Sequence, residues 1–195
     1  MPMENPIYMS AAAALGLVIA LAVFFLRRNG AADAAPAKGS AFGDYGENVK
    51  LRDLFRLAAL MEEKGEALYA KMELKAAKPE TKRLCAWLAE QEGIHRGIIQ
   101  DQIAKWRPLP PHLTEWPAFM ERVKKAGFFA DPPGENAAED ELAAFAIRQE
   151  IKTAEFYALF EQAFPQAWKR AHMRRLVEEE HNHEARLREA YPHIK

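Results

Sequence analysis

Carboxylate and imidazole side chains recur in this 195-residue chain in a pattern that suits metal binding. The pattern is a glutamate, a second glutamate thirty residues later, and a histidine three residues after that. It occurs twice with an offset of 88 residues, as Glu62, Glu92 and His95 and as Glu150, Glu180 and His183. Because residues three apart share one face of a helix, each Glu–His pair can bind one metal centre.

All four glutamates fall on the apolar stripes of amphipathic segments, which are the faces that pack inward. A buried carboxylate is costly unless it is paired, protonated or bound to a metal, and these stripes carry no Lys or Arg. Two divalent cations would balance the four carboxylates, and two neutral imidazoles would complete the coordination. The sequence therefore predicts a two-metal site.

The repeat selects among the possible ligands. A third Glu–His match, Glu178 with His181, lacks the upstream glutamate, because position 148 is Arg148. Each half also has a tyrosine seven residues after its first glutamate, Tyr69 in one and Tyr157 in the other. Residues seven apart in a helix are nearly aligned, so we expect both tyrosines on the metal-facing side. There they would support the ligand carboxylates, with a radical role as the alternative.

Four amphipathic segments carry these residues and predict helices at about 49–72, 79–106, 137–164 and 165–191. No segment shows the alternation of a half-buried strand, so we expect an all-α fold. The connections within each pair of helices are short. About thirty residues, 107–136, join the second helix to the third and include a predicted short helix near 115–125. Two tight hairpins joined by one long crossover predict an antiparallel four-helix bundle.

The N-terminal segment differs from the rest of the chain. Residues 7–26 contain no charged side chain and would span about 30 Å as a helix, the thickness of the hydrocarbon core of a bilayer. We predict a transmembrane anchor at 1–28, a flexible Ala/Gly/Pro-rich tether at 29–47 and the bundle at 48–195. Arg27 and Arg28 favour an outside N-terminus and a cytoplasmic bundle. A signal peptide cleaved near the AADAAPA stretch is the alternative.

The charge balance and the cysteine content exclude several other functions. The chain has 27 Lys and Arg against 28 Asp and Glu, a net charge of −1, which argues against nucleic-acid binding. Its one cysteine, Cys85, rules out an internal disulfide framework, a CxxC redox pair and any multi-cysteine metal site. The chemistry must therefore come from carboxylates, imidazoles, hydroxyls or a bound cofactor.

The segments LMEEKGEALYAKM, LAEQEGIHRGI, IRQEIKTAEFYALF and LVEEEHNHEARL resemble the rubrerythrin branch of the ferritin-like di-iron carboxylate proteins, over about residues 49–191. The resemblance implies a ferritin-like bundle with two iron ions, manganese being the alternative metal. It also implies the ligand roles: terminal ligands Glu62 and Glu150, bridging ligands Glu92 and Glu180, and one nitrogen each from His95 and His183.

Two features depart from that family. Classical rubrerythrins have a further glutamate three residues after the third-helix ligand, which helps the iron move between redox states, and this chain has Thr153 there. Classical rubrerythrins also carry a rubredoxin domain with paired CxxC motifs. Because this chain has one cysteine, its electrons must come from an external donor.

The predicted function is oxidation of Fe(II) by O₂ or H₂O₂, as a ferroxidase or a peroxide-scavenging oxidoreductase at a membrane. The alternatives are a di-iron hydroxylase of a membrane quinone precursor, a non-enzymatic iron-binding or delivery module, and a structural subunit of a membrane complex. The expected partners are the oxidant, an electron donor and the membrane. By resemblance, a second copy of the chain could also pair with a bundle face.

Overall fold

A computed structural model describes residues 49–105, 116–162 and 167–195. These ranges contain five helices: α1 Leu51–Lys75, α2 Pro79–Ala104, α3 Trp116–Lys125, α4 Glu139–Gln162 and α5 Ala167–Ala190. No strand occurs within them, so the all-α prediction is confirmed for this part of the chain. The predicted anchor at 1–28 and the whole of the predicted tether at 29–47 lie outside the described residues. Among the described helices, none is both long enough and apolar enough to cross a bilayer.

Local sequence signals explain where the long helices begin. At the start of α1, the Asp53 carboxylate accepts a hydrogen bond of 3.2 Å from the backbone N–H of Lys50, which satisfies a donor that the helix leaves unpaired. Pro79 opens α2, where its fixed φ suits the first turn and its missing N–H is not needed. Three acidic residues open α4, and negative charge there complements the helix dipole.

The long helices form two hairpins, as the loop lengths predict. Helix α1 packs along α2, and α4 packs along α5, whereas contacts between the hairpins, α1 with α4 and α2 with α5, are much sparser. Two apolar clusters occupy the ends of the bundle. One includes Leu54, Phe55, Phe119, Phe156 and Phe160, and the other includes Leu68, Met72, Leu88, Leu142 and Leu187. Burying each such side chain contributes roughly 1.5–3 kcal/mol, which offsets the cost of the charged groups between the clusters.

The described part of the long crossover is tied to the bundle at two places. Phe119 and Val123 of α3 are buried in the first cluster, and Gly127 ends the helix with a φ of 78°. Further along, Lys71 donates hydrogen bonds to the carbonyl oxygens of Pro133 and Gly134, at 3.0 and 2.7 Å. Lys75 donates likewise to the carbonyls of 135 and 137. These bonds hold residues 133–137 of the crossover against the C-terminal end of α1.

Candidate metal centre

The structure brings all six predicted metal-binding residues together in the middle of the bundle. Each of them is at most 4 % exposed: Glu62, Glu92, His95, Glu150, Glu180 and His183. Their ligand atoms form two groups in which all atoms lie within 4.8 Å of one another. One group is Glu62, His95 and Glu180, and the other is Glu92, Glu150, Glu180 and His183. Glu180 belongs to both groups and therefore lies where a carboxylate could serve two ions.

Both histidines turn Nδ1 towards the carboxylates. His95 Nδ1 lies 3.5 Å from Glu62 Oε2 and 3.9 Å from Glu180 Oε1. His183 Nδ1 lies 3.4 Å from Glu92 Oε1 and 3.5 Å from Glu150 Oε2. The two imidazole rings are stacked with centroids 6.1 Å apart. The ligand sets of the two hairpins thus face each other across the bundle interior.

Several of these inward-facing atoms lack a hydrogen-bond partner among the described residues: Glu62 Oε2, His95 Nδ1, Glu150 Oε2, Glu180 Oε1 and His183 Nδ1. The Nδ1–carboxylate distances above are too long for good hydrogen bonds. A buried polar atom without a partner costs about 1–3 kcal/mol, and the centre holds five of them. Cations placed between these nitrogen and oxygen atoms would satisfy all five, so the residues fit a metal centre.

The two tyrosines bond crosswise between the hairpins. The Tyr69 hydroxyl donates a hydrogen bond to Glu150 Oε1, and the Tyr157 hydroxyl donates to Glu62 Oε1. Both phenols are almost fully buried, and burial together with the nearby carboxylates raises their pKa well above 10. They therefore remain neutral donors. Each holds one oxygen of a carboxylate and leaves the other oxygen, Oε2, facing the centre.

The four carboxyl groups divide into two electrostatic classes. Burial raises the pKa of both Glu92 and Glu180 well above 4.5, with the charges of Glu62 and Glu150 adding to the effect. Burial opposes the ionisation of Glu62 as well, but the adjoining Glu92 carboxyl and the His95 ring lower its pKa to about 2. The pKa of Glu150 is lowered in the same way, by His183 and Glu180.

Both imidazoles are more basic than usual in the protein without metal. Burial lowers the pKa of a histidine, but the surrounding carboxylates outweigh it and raise the pKa of His183 to about 9. Glu179 and Glu62 raise the pKa of His95 well above 6.5. Protons on Glu92, Glu180, His95 and His183 thus balance the charge of the four carboxylates when no cation does.

A family model decides what kind of centre this is. The rubrerythrin family model matches residues 53–191, most of the chain and nearly all of the bundle. The chain belongs to the rubrerythrin family. Neither a curated protein nor a solved structure matches it. Rubrerythrins bind a di-iron centre, and the buried Glu/His cluster of this rubrerythrin fits one, which confirms the prediction of the cofactor.

A pocket of about 30 Å³ reaches the centre of this rubrerythrin between α1, α4 and the crossover. Its wall includes Gly65, Glu92, Thr153, Glu180 and Phe129. Gly65 is needed there, because a Cβ atom on it would lie 3.1 Å from Glu92 Cδ and 3.2 Å from Glu92 Oε2. Thr153 takes the place where classical rubrerythrins have a glutamate, so its wall position carries a hydroxyl instead of a carboxylate.

Sequence reasoning missed one polar neighbour of the centre. Glu179, directly before Glu180 on α5, places Oε2 3.0 Å from His95 Nε2 on α2. The repeat held a signal for it, because position 91, which corresponds to 179 in the first half, is also polar, as Gln91. The rejected Glu–His match behaves as the repeat predicts, since both Glu178 and His181 are exposed.

Proposed function

We propose that this protein is a membrane-anchored di-iron oxidoreductase that oxidises Fe(II) with O₂ or H₂O₂, as a ferroxidase or a peroxide scavenger. The observation that carries the proposal is a buried centre of four carboxylates and two imidazoles, whose inward-facing atoms lack hydrogen-bond partners among the described residues. A pocket large enough for O₂ or H₂O₂ adjoins this centre. Family membership supports the oxidoreductase class.

In this proposal the six residues divide between two iron ions, with manganese as the alternative metal. Glu62 and His95 bind one ion, and Glu150 and His183 bind the other. The position of Glu180 in both ligand groups supports a bridging role for it. Glu92 takes the second bridging role, supported by its contact with His183 Nδ1 and by its effect on the Glu62 carboxyl.

When bound, the di-iron centre supplies two electrons, one from each Fe(II), which with two protons reduce O₂ to H₂O₂ or H₂O₂ to two waters. The chain's own residues position the ligands and exclude bulk water. Tyr69 and Tyr157 fix one oxygen of Glu150 and Glu62, so that the other oxygen keeps its direction. The apolar clusters above and below seal the centre along the bundle axis.

The size of the pocket favours a small oxidant over an organic substrate. A volume of about 30 Å³ holds one or two water-sized molecules. O₂ and H₂O₂ are of this size and fit the pocket. This observation favours oxidant reduction over the hydroxylase alternative.

The proposal also includes an external electron donor and a position of the bundle at the membrane. An external one-electron donor returns the centre to the reduced state, because the single cysteine of the chain is buried in the apolar core. The anchor at 1–28 and the tether at 29–47 would hold the bundle on the cytoplasmic face. The uncharged run 7–26 and the following Arg27 and Arg28 support this arrangement.

Metal analysis followed by rapid mixing tests the proposal on the full chain in detergent. The protein, loaded anaerobically with Fe(II), is mixed with O₂ or with H₂O₂, and ferric absorbance is followed in the near ultraviolet. We expect two irons per chain and oxidation much faster than that of free Fe(II). The matched variants are Glu92→Gln with Glu180→Gln, which should lose the activity, and the exposed Glu178→Gln, which should keep it.

Three outcomes contradict the proposal. Fewer than one metal ion per chain would remove the di-iron centre. Equal oxidation rates in the wild type and the Glu92→Gln/Glu180→Gln variant would separate the reaction from the centre. A hydroxylated product from a quinone precursor and reductant would favour the hydroxylase. Extraction of the full chain from membranes by alkaline carbonate would contradict the anchor alone.

A further inference from the structure

The two histidines of the centre have different surroundings on their outward side. His95 Nε2 lies 3.0 Å from the Glu179 carboxylate, which is partly exposed and reaches across from α5. Position 91, related to 179 by the offset of 88, holds the neutral amide of Gln91. The ring of His183 packs edge-on against the Trp87 indole instead, with centroids 5.5 Å apart.

The charges behind the two rings also differ in sign. Glu179 places a negative charge directly behind His95. Behind His183, the Trp87 ring is covered by the Arg186 guanidinium, 4.7 Å from the ring centroid. A carboxylate that accepts the outer N–H of a histidine fixes the tautomer and makes the inner nitrogen a better metal donor. A nearby cation has the opposite electrostatic effect on a bound metal ion.

The Glu179 carboxylate lies on the outer side of His95, which belongs to the smaller of the two ligand groups. The His183 group has four residues, Glu92, Glu150, Glu180 and His183, whereas the His95 group has three, Glu62, His95 and Glu180. In this structure the Glu92 ligand atom lies in the His183 group, so the His95 group has one carboxylate fewer at ligand distance. An outer carboxylate at that histidine would compensate for the difference.

We propose that Glu179 is a positioning residue that selectively strengthens metal binding at the Glu62–His95 position and makes the two metal positions inequivalent. This inference rests on the ligand assignment of the proposed function. Glu179 acts through the imidazole of His95, whose Nδ1 it directs into the centre, and does not itself bind metal. The His183 position has no such residue, so it depends on its larger set of carboxylates.

Anaerobic titration with Co(II), which reports its ligands through visible absorbance bands, tests the inference on the full chain. We expect two binding steps in the wild type. Glu179→Gln keeps the size of the side chain and removes its charge, and it should weaken one step by about 10–100-fold while leaving the other within about twofold. Glu179→Asp should restore part of the loss. Glu178→Gln, one residue away and exposed, is the matched control and should change neither step.

Single-position backgrounds identify which step is affected. In His183→Ala, the remaining ion binds the His95 position, and adding Glu179→Gln should weaken it by about 10–100-fold. In His95→Ala, the same addition should have no effect. The reciprocal change Gln91→Glu should strengthen binding at the His183 position. Thermal unfolding of each variant without metal shows whether the fold is retained.

The outcomes separate this inference from the proposed function. If the wild type binds two Co(II) and Glu179→Gln alters neither step, or weakens both equally, Glu179 has no selective role and the inference is wrong. If the wild type binds fewer than two Co(II), the two-metal assignment fails and this inference fails with it. An effect of Glu179→Gln that persists in the His95→Ala background would also overturn the proposed route through His95.

Discussion

The two hairpins of this rubrerythrin repeat the same inner residues but not the same surroundings. Two glutamates, a histidine and a tyrosine recur with an offset of 88 residues and meet at one buried point. The residues around them differ: Gly65 corresponds to Thr153, Trp87 to Arg175 and Gln91 to Glu179. The comparison teaches that the inner residues set which cofactor binds, whereas the outer residues make the two halves unequal.

The largest expected effect distinguishes Glu92 from Glu180, the two glutamates proposed to bridge the metal ions. Glu180 lies in both ligand groups and Glu92 in one. Glu180→Gln should therefore abolish tight binding of both ions, whereas Glu92→Gln should weaken the Glu150–His183 position more than the Glu62–His95 position. Metal content after loading and gel filtration measures the difference. Equal losses in the two variants would mean that both carboxylates bridge in the same way.

The next effect is the competition between protons and metal. Because the pKa of His183 is raised to about 9, its ring holds a proton at neutral pH that an incoming cation must displace. Metal affinity should therefore fall as the pH falls, about tenfold per pH unit from this ring alone below its raised pKa. The raised pKa values of His95, Glu92 and Glu180 act in the same direction.

Proton release during loading in weakly buffered solution measures this competition. More than one proton released per pair of ions is the expected result, and affinity titrations at about pH 6 and about pH 8 should agree with that number through linkage. In the His183→Ala background, which keeps one ion, the release per chain should drop by at least one proton. Loading that is independent of pH would contradict the proton-balanced site described above.

Removing each crosswise hydrogen bond shows how strongly the metal affinity of one hairpin depends on the tyrosine of the other. Tyr69→Phe and Tyr157→Phe each leave one carboxylate oxygen without its donor. Removing such a supporting bond costs about 10–100-fold in metal affinity. Each variant should weaken the position on the opposite hairpin, so Tyr69→Phe acts on the Glu150 side and Tyr157→Phe on the Glu62 side. Co(II) titration in the His95→Ala and His183→Ala backgrounds assigns the side; a loss on the tyrosine's own hairpin would contradict the crosswise pairing.

The smallest effect concerns two glycines within helices. Alanine normally stabilises a helix interior by about 1 kcal/mol relative to glycine. A Cβ at Gly97 meets nothing within 4 Å, so Gly97→Ala should raise the free energy of unfolding by about that amount. Gly65→Ala should gain less and should weaken metal binding, because its Cβ would crowd Glu92. Thermal unfolding with and without Co(II) compares them, and equal behaviour of the two variants would remove the special role of Gly65.

The helices, and the meeting of the six glutamates and histidines at one buried point, could be predicted because both follow from spacing along a single helix. Glu92 and His95 share a helix face, and the thirty-residue interval fixes the facing residue on the neighbouring helix of the hairpin. The partner of Tyr69 could not be predicted, because it depends on how the hairpins dock. The same holds for Glu179, which acts on a histidine of another helix, and for Gly65, whose purpose is visible only beside the Glu92 side chain.

The crosswise tyrosines have a consequence for how the protein persists in the cell. Contacts within each hairpin far exceed those between the hairpins. The two tyrosine–glutamate hydrogen bonds and the shared ions therefore account for much of what joins one hairpin to the other. A chain made during iron shortage lacks the ions and keeps buried polar atoms without hydrogen-bond partners between the hairpins. We expect the two hairpins of such a chain to separate more often than those of a chain that has received its iron, and cellular proteases to cut it sooner.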